Sequence, residues 1–366
     1  MKVAVVGTRG IPDIMGGIET HCQELYPRLA AKGVDVTVFG RKGYTKQDSP
    51  YEYRGVRVVP VPSPRSAGME AFVHTFRCLP KVWRLRPDIV HLHAIGPAFA
   101  APFYRLIGCK VVYTHHGQDY NRAKWGLIAK TVLRFSERVG TLFSNRVIVI
   151  SKYLEQWLQK EYGCKKTAFI RNGVNIPDRL NAETSRKWLE KHNLFGKKYI
   201  FALGRFVEEK GFHDLIAAYK KSNLKDVALV IAGRADQESA YSQKLRQMAE
   251  EAGVVLPGFI HGEELHAIFE SASLFVIPSY HEGLPIALLE ALSYNLAVIA
   301  SDIPANMEVP LPPDSFFKTG DVNALSEKIV AFLKFVADRN YREIIEEYYN
   351  WDKIADQTVK VYKSIL

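Results

Sequence analysis

Lys2-Val3-Ala4-Val5-Val6-Gly7-Thr8-Arg9-Gly10-Ile11-Pro12-Asp13-Ile14-Met15-Gly16-Gly17 reads as three pieces. Residues 2–7 are an apolar run of the length of a buried strand, residues 8–17 hold the loop formers glycine and proline, and an amphipathic helical pattern occupies 18–31. Strand, glycine loop and helix make a phosphate-binding layout. Gly16 and Gly17 let a ligand approach the backbone closely, and the helix that follows offers unpaired N–H groups and the positive end of its dipole. The dinucleotide fingerprint G-x-G-x-x-G is absent here, and no G-x-x-x-x-G-K-[ST] occurs in the chain, which counts against nicotinamide enzymes and P-loop NTPases.

The same alternation continues. Strands are expected near 34–39, 56–60, 88–93, 110–114, 145–150 and 167–170, with helical patterns between most of them, which predicts a doubly wound α/β sheet. It pauses at Ile170-Arg171-Asn172-Gly173-Val174-Asn175-Ile176-Pro177, and a polar helical stretch follows at 181–192. Strands then resume at 199–204, 227–232, 254–260, 273–278 and 297–301, giving a second doubly wound domain. The last helical pattern, 352–365, is long enough to pack back across the first domain. The expected division is 1–170 plus about 350–366 for one domain and 171–349 for the other, with Asn172 to Pro177 as the hinge.

At 366 residues and 47% hydrophobic composition the chain can fill two cores. Cys22, Cys78, Cys109 and Cys164 show no metal or redox spacing, no signal-peptide layout opens the chain and no apolar run spans a bilayer, so a cytoplasmic protein is expected. The net charge of +10 is unevenly spread: residues 1–170 carry 26 Lys and Arg against 12 Asp and Glu, and the remainder 23 against 27. The basic half suggests attraction to an anionic membrane or lipid phosphate. Nucleic acid is disfavoured, since no zinc-finger spacing, RNA-binding signature or basic tail is present. Surface solubility is the plain alternative. Basic helical patterns at 72–86 and from Arg122 to Val139 interleave cations with apolar residues; Lys130, Arg134 and Arg138 share one face. Such a helix can lie on an anionic membrane surface, or pack its apolar face on its own sheet.

Three further places carry chemistry. In Glu282-Gly283-Leu284-Pro285-Ile286-Ala287-Leu288-Leu289-Glu290, Pro285 marks a helix start, which puts one acid on a loop and the other about a turn and a half in. The apolar run 273–278 delivers Glu282 to the C-terminal edge of a parallel sheet, where open α/β sheets bind ligands. A solvated turn and an ordinary helix-face acid have the same spacing. Arg205 and Lys210 occupy a strand-to-helix loop and can converge on a diphosphate, or remain solvated charges. Thr114-His115-His116-Gly117-Gln118-Asp119 follows another strand; paired histidines beside an acid suit metal binding, acid–base work or substrate hydrogen bonding, and a metal would need a third ligand in good geometry.

Gly16-Gly17, His116-Gly117, Asn172-Gly173-Val174, the run from Gly204-Arg205 to Lys210-Gly211, and Glu282 with Glu290 occur in an order that resembles the retaining, nucleotide-sugar-dependent glycosyltransferases of family four. The likeness covers essentially the whole chain. It implies the GT-B fold: two Rossmann-like domains facing a central cleft, with a C-terminal helix crossing back to the first. The stretch from Val6 to Thr20 is further similar to a bacterial subgroup that includes surface-polysaccharide rhamnosyltransferases. The resemblance implies that Arg205 and Lys210 hold the donor diphosphate, that Glu290 accepts from the ribose hydroxyls, that Glu282 lies beside the donor sugar and that Gly17 offers its N–H to a phosphate. His116 would contact the sugar, with His115 a weaker substitute. Gly16, Gly283, Leu284, Pro285 and Asn172 complete the expected donor site. Asp302 and Asn306 are expected to be structural.

The chain lacks any Asp-x-Asp triplet, so a metal-independent hexosyl or deoxyhexosyl transferase without cofactor is expected. Its partners would be a nucleotide sugar, a glycan or lipid-linked acceptor and the inner face of the cytoplasmic membrane. Lys210→Ala should nearly silence turnover and leave the fold intact. A non-catalytic nucleotide-sugar-binding subunit and an oxidoreductase on paired Rossmann domains are the competing readings.

Overall fold

The computed structural model describes residues 1–64, 69–121, 125–334 and 339–366. The chain divides into two compact units, Met1–Gly173 with Tyr349–Leu366, and Val174–Tyr348. The first is built on eight strands: β1 (Lys2–Val6), β2 (Asp35–Arg41), β3 (Tyr51–Tyr53), β4 (Val56–Val61), β5 (Ile89–His93), β6 (Lys110–His115), β7 (Arg146–Val149) and β8 (Thr167–Phe169). They lie in the order β3-β4-β2-β1-β5-β6-β7-β8. All neighbours are parallel except β3 and β4, which pair antiparallel with Tyr51 opposite Val58. The central strands are buried on both faces, as helix-covered parallel strands must be, and therefore read as unbroken apolar runs.

β1 has β2 on one side and β5 on the other, with register Val3 to Val36 and Val3 to Ile89. The winding direction reverses there, so the crevice at the carboxyl ends of β1 and β5 is the switch point of this sheet. The loop 7–16 leaves β1 at that crevice and enters the helix Gly17–Ala31. The C-terminal helix Trp351–Lys363 packs on that same helix: Arg28 and Lys32 pair with Asp352 and Asp356, and Trp351, Ile354, Ala355 and Tyr362 join its core. A side chain at Gly173 would run into the Trp351 ring, its Cβ 2.5 Å from the nearest ring atom, so the chain can return past this point only over glycine.

The second unit holds β9 (Lys198–Leu203), β10 (Val227–Ala232), β11 (Leu274–Ile277), β12 (Val298–Ser301) and β13 (Phe316–Phe317), all parallel, in the order β10-β9-β11-β12-β13. Its switch point is β9, between β10 and β11. The expected strand at 254–260 does not form: only Val255 makes a bridge, to Val230. Pro257 has no N–H to give to a ladder and Gly258 sits at φ 81°, so beyond Val255 the segment keeps, among the described residues, only the backbone bond from the Gly233 N–H to the Gly258 carbonyl, at 2.7 Å. The helix expected at 181–192 is Ala182–Lys191, capped by the Asn181 side chain accepting from the Thr184 N–H. Of the basic pattern from Arg122 to Val139, residues 122–124 lie outside the described residues, and the rest is the helix Leu127–Phe143.

Candidate functional site

In the second unit the loops leaving β9 and β11 converge. Lys210 ends a short 3-10 turn, Glu208–Lys210, and Gly211 follows at φ 65° with no room for a Cβ, which would lie 2.2 Å from the Pro278 carbonyl oxygen. That close approach ties the start of the helix Phe212–Ser222 to the end of β11. The Tyr280 N–H donates to the Glu209 carbonyl at 2.8 Å, and the Tyr280 hydroxyl donates to Asp214 at 2.7 Å. Held this way, Lys210 Nζ donates to Glu282 Oε1 at 2.6 Å, and Ser279 Oγ donates to the same oxygen at 2.7 Å. Burial alone would push the Glu282 carboxyl up; the Lys210 ammonium, the Ser279 hydroxyl and His281 outweigh it and hold the group below the ordinary carboxylate range.

Arg205, one residue past Gly204, gives Nη1 to Asp236 Oδ2 at 3.0 Å. Both cations of the expected diphosphate site are thus aimed by an acid, and Asp236 is a member that spacing did not reveal. Lys210→Ala would leave Glu282, whose side chain is 11% exposed, without the cation it is bonded to, so the substitution should cost stability as well as turnover. Leu284 is buried, and Pro285 occupies the position just before the helix Ile286–Ser293, its carbonyl accepting from the Leu288 N–H at 3.1 Å. Glu290 is half-buried on that helix. Asn306 is fully buried and donates to the Ser301 carbonyl and hydroxyl at 3.0 Å each, while Asp302 accepts from the Thr319 N–H and hydroxyl.

In the first unit Gly16 caps the helix Gly17–Ala31 at φ 144°, against the Glu19 carboxylate, and the space beside Gly17 is open. Glu19 accepts from the Arg9 N–H at 3.0 Å and so braces the loop. His115 and His116 separate sharply. His115 is fully buried: its Nδ1 accepts from the Gly117 N–H at 3.2 Å, which leaves the proton on Nε2 to donate to Glu137 Oε1 at 2.6 Å. Glu137 also accepts from Tyr162 at 2.8 Å; against the upward push of burial, His115, Tyr162 and Trp157 hold its pKa down. His115 therefore anchors the loop, with both ring nitrogens already hydrogen-bonded.

His116 is half-buried and joins a cluster that the sequence did not disclose. Its Nε2 lies 2.8 Å from His93 Nδ1, and its ring stands edge-on to His21 at 4.9 Å between centroids. His21 Nδ1 is bonded to Asn172 Oδ1 at 2.9 Å, which places Asn172 under the glycine-loop helix. Tyr26 links His93 Nε2 to His91, and His91 continues to Tyr362 at 2.6 Å and Thr114 at 2.6 Å. Burial, then the neighbouring imidazoles, drives His91, His93 and His116 well below the usual histidine range; burial takes His21 down to about 4 despite the opposing bond to Asn172. All are neutral at physiological pH. The signal was present in part: His91-Leu92-His93 alternates along a strand, which puts both rings on one face.

The helix Leu127–Phe143 buries Leu133, Ser136, Glu137, Gly140 and Thr141 and leaves Ile128, Val132, Phe135, Leu142 and Phe143 exposed. Phe135 contacts Phe99, which contacts Phe76 and Phe103, so three neighbouring helices present one apolar surface. Exposed Arg77, Lys81, Arg84, Arg105, Arg134 and Arg138 flank it. The apolar face expected to pack on the sheet or meet a membrane is therefore left open. No described helix is long and apolar enough to cross a membrane.

Known proteins match both units. Residues 15–177 match the family model Glycosyltransferase Family 4, and residues 184–351 match Glycosyl transferases group 1. An uncharacterized glycosyltransferase of Methanocaldococcus jannaschii is 29% identical over 396 residues, covering 99% of this chain and 98% of that protein. A phosphatidyl-myo-inositol mannosyltransferase of Mycolicibacterium smegmatis is 23% identical over 96% of this chain and 91% of its own. Among solved structures, Anabaena HepE in complex with UDP-glucose superposes with a TM-score of 0.82 at 17% identity, covering 100% of both chains. With two parallel-sheet Rossmann-like units, each matched by a glycosyltransferase model, the chain belongs to the family 4 glycosyltransferases of GT-B fold.

Proposed function

We propose that this glycosyltransferase moves a sugar from a nucleoside-diphosphate sugar to a glycan or lipid-linked acceptor, with retention at the anomeric carbon, in the assembly of a bacterial surface polysaccharide. The observation that carries the reading is the Lys210–Glu282 pair at 2.6 Å, made by residues 72 apart in sequence at the carboxyl ends of adjacent parallel strands. Cleavage of a sugar–diphosphate bond leaves concentrated negative charge. Arg205 and Lys210 are already aimed and partly desolvated, each held by a carboxylate that a diphosphate can replace. Preorganised charge of this kind needs no reorganisation as the bond breaks, and no metal is required for transfer.

In this reading Glu282 is released to the donor sugar once Lys210 turns to the phosphate, and Gly283, Leu284 and Pro285 shape the loop around it. Glu290 takes the ribose hydroxyls. Gly16 and Gly17 supply backbone N–H groups at a helix start, and His116 meets the sugar. The acceptor hydroxyl attacks from the face the leaving diphosphate departs from, and a phosphate oxygen takes its proton. The Anabaena complex supports a nucleotide-sugar donor, the mycobacterial relative a lipid-linked acceptor, and residues 6–20 a surface-polysaccharide role. Thermal shifts with UDP-, GDP- and dTDP-sugars test the donor site, because a ligand at 100 times its Kd adds about 2.7 kcal/mol of stability. A flat response to all three sinks the reading.

The exposed apolar surface around Phe135, with its rim of arginines, suits the anionic cytoplasmic face of a membrane, where a lipid-linked acceptor resides. Vesicles with anionic lipid should retain the protein at low salt and release it at high salt. Equal binding to neutral vesicles refutes the electrostatic part of this proposal.

A further inference from the structure

We propose that His21, His93 and His116 form a binding site for one divalent transition-metal ion of the Zn2+ or Co2+ class. One ring nitrogen from each of the three lies within 4.8 Å of those of the other two, and the residues come from three separate elements: the glycine-loop helix, the end of β5 and the loop after β6. Imidazole nitrogen is the ligand these ions prefer, at about 2.0–2.1 Å.

The outer partners select the atoms. Asn172 occupies His21 Nδ1, and among the described residues His21 Nε2 is buried with no hydrogen-bond partner. A buried imidazole lone pair without a donor is costly to keep, and a cation satisfies it. Tyr26 occupies His93 Nε2, leaving Nδ1 turned to His116 Nε2 at 2.8 Å. In the free protein these two nitrogens share one proton. An ion entering the trio takes the lone pairs of His21 Nε2, His93 Nδ1 and His116 Nε2. The shared proton is lost from the contact and moves to the other nitrogen of its own ring, which for His93 then donates to the Tyr26 oxygen. Each ring stays neutral and keeps one proton, so the charge gained is that of the ion.

Tetrahedral bonds of that length place two nitrogens about 3.3 Å apart, so the His93–His116 pair need open by only about 0.5 Å. The third ligand closes inward from a separation of at most 4.8 Å. The set is complete in type: three nitrogen ligands, their outer partners Asn172 and Tyr26, and a fourth position left for water or another ligand. His116 is half-buried, which gives the ion a way in. If His116 meets the donor sugar as proposed above, the ion competes with it and Zn2+ lowers transfer; that consequence rests on the functional reading, and the binding itself does not.

The test uses the full chain made without a histidine tag. Co2+ is titrated in, with the visible spectrum and calorimetric stoichiometry recorded, followed by displacement with Zn2+. One Co2+ per chain with the strong visible bands of a low-coordinate site is expected, and Zn2+ should bleach them. His21→Gln, which removes a ligand, should weaken binding at least about 100-fold. Tyr26→Phe, which keeps every ligand and removes only an outer partner, should weaken it about 10–100-fold. His192→Gln, far in sequence and paired with Glu264, should bind as the unsubstituted protein does. Circular dichroism and melting temperature report whether each variant folds, and a misfolded His21→Gln leaves Tyr26→Phe to decide. The proposal is overturned if folded His21→Gln or Tyr26→Phe binds Co2+ as well as the unsubstituted chain, or if no Co2+ is bound in stoichiometric amount.

Discussion

Lys210→Ala removes the cation from a carboxylate that is 11% exposed and whose other recorded donor is the Ser279 hydroxyl. Breaking a fully buried pair from one side costs about 3–5 kcal/mol; with a hydroxyl remaining and some water access, about 2–3 kcal/mol is expected here. Glu282→Gln added to Lys210→Ala removes the stranded charge and should restore about 1–2 kcal/mol, a coupling measurable as a double-mutant cycle by urea denaturation. The pH dependence follows from the sign of each shift. In the unsubstituted protein the Glu282 pKa is depressed, so its contribution is present above the unfolded value near 4.3 and is lost as pH falls through the folded pKa. In Lys210→Ala the folded pKa is raised instead. The penalty is then absent below about 4.3, grows as pH climbs toward the raised value, and is complete above it. The stability gap between the two proteins therefore narrows as pH drops from 7 toward 4, and closes only as pH falls further, through the depressed Glu282 pKa of the unsubstituted protein. Turnover should behave differently, falling about 10²–10³-fold in Lys210→Ala and not recovering in the double variant. A loss under about 0.5 kcal/mol with no relief from Glu282→Gln would refute the buried-pair argument.

Acid should strike the first unit through its histidines. His21 and His74, at about 4 and about 3, and His91, His93 and His116, held well below the usual range, stay neutral when folded and charge near 6.5 when unfolded. Their contribution is full above 6.5 and fades below it; His21 and His74 alone account for about 2.5 kcal/mol between pH 7 and 5.5 and the other three act in the same direction, so melting temperature should drop over that interval and a flat profile contradicts it. Gly17→Ala meets open space and should melt normally while raising the donor KM; Gly16→Ala, at φ 144° and against Glu19, should cost about 1–3 kcal/mol. Equal melting of the two would show that the loop is not strained as described. Arg134→Glu with Phe135→Ser should cut anionic-vesicle binding and leave turnover on a soluble acceptor unchanged, whereas unchanged vesicle binding removes this surface from the membrane contact.

Much of this architecture was legible because helix-covered parallel strands are buried on both faces and appear as short apolar runs ended by glycine or proline. The strands β3 and β13, of three and two residues, are too short to show a period. At 254–260 an apolar pattern misled, since backbone chemistry at Pro257 and Gly258 overrides it. The motif residues Arg205, Lys210, Glu282 and Glu290 were legible one by one, each at the carboxyl end of a strand or on the helix after it. The bond between Lys210 and Glu282 was not, because nothing within either loop specifies a contact across two strands. Histidine gave the largest surprise. His115 and His116 look equivalent in sequence, yet alternation at a strand end sends one inward to Glu137 and the other to His21 and His93.

What is proposed of the Lys210 site is sugar transfer from a nucleotide donor. It is tested most directly by the release of nucleoside diphosphate from the nucleotide sugar that gives the largest thermal shift, measured with and without acceptor-bearing membrane extract. Release should require the acceptor, be matched by label entering the acceptor fraction, and fall at least about 100-fold in folded Lys210→Ala. Release at the same rate without acceptor, or near-normal turnover in that variant, would contradict it.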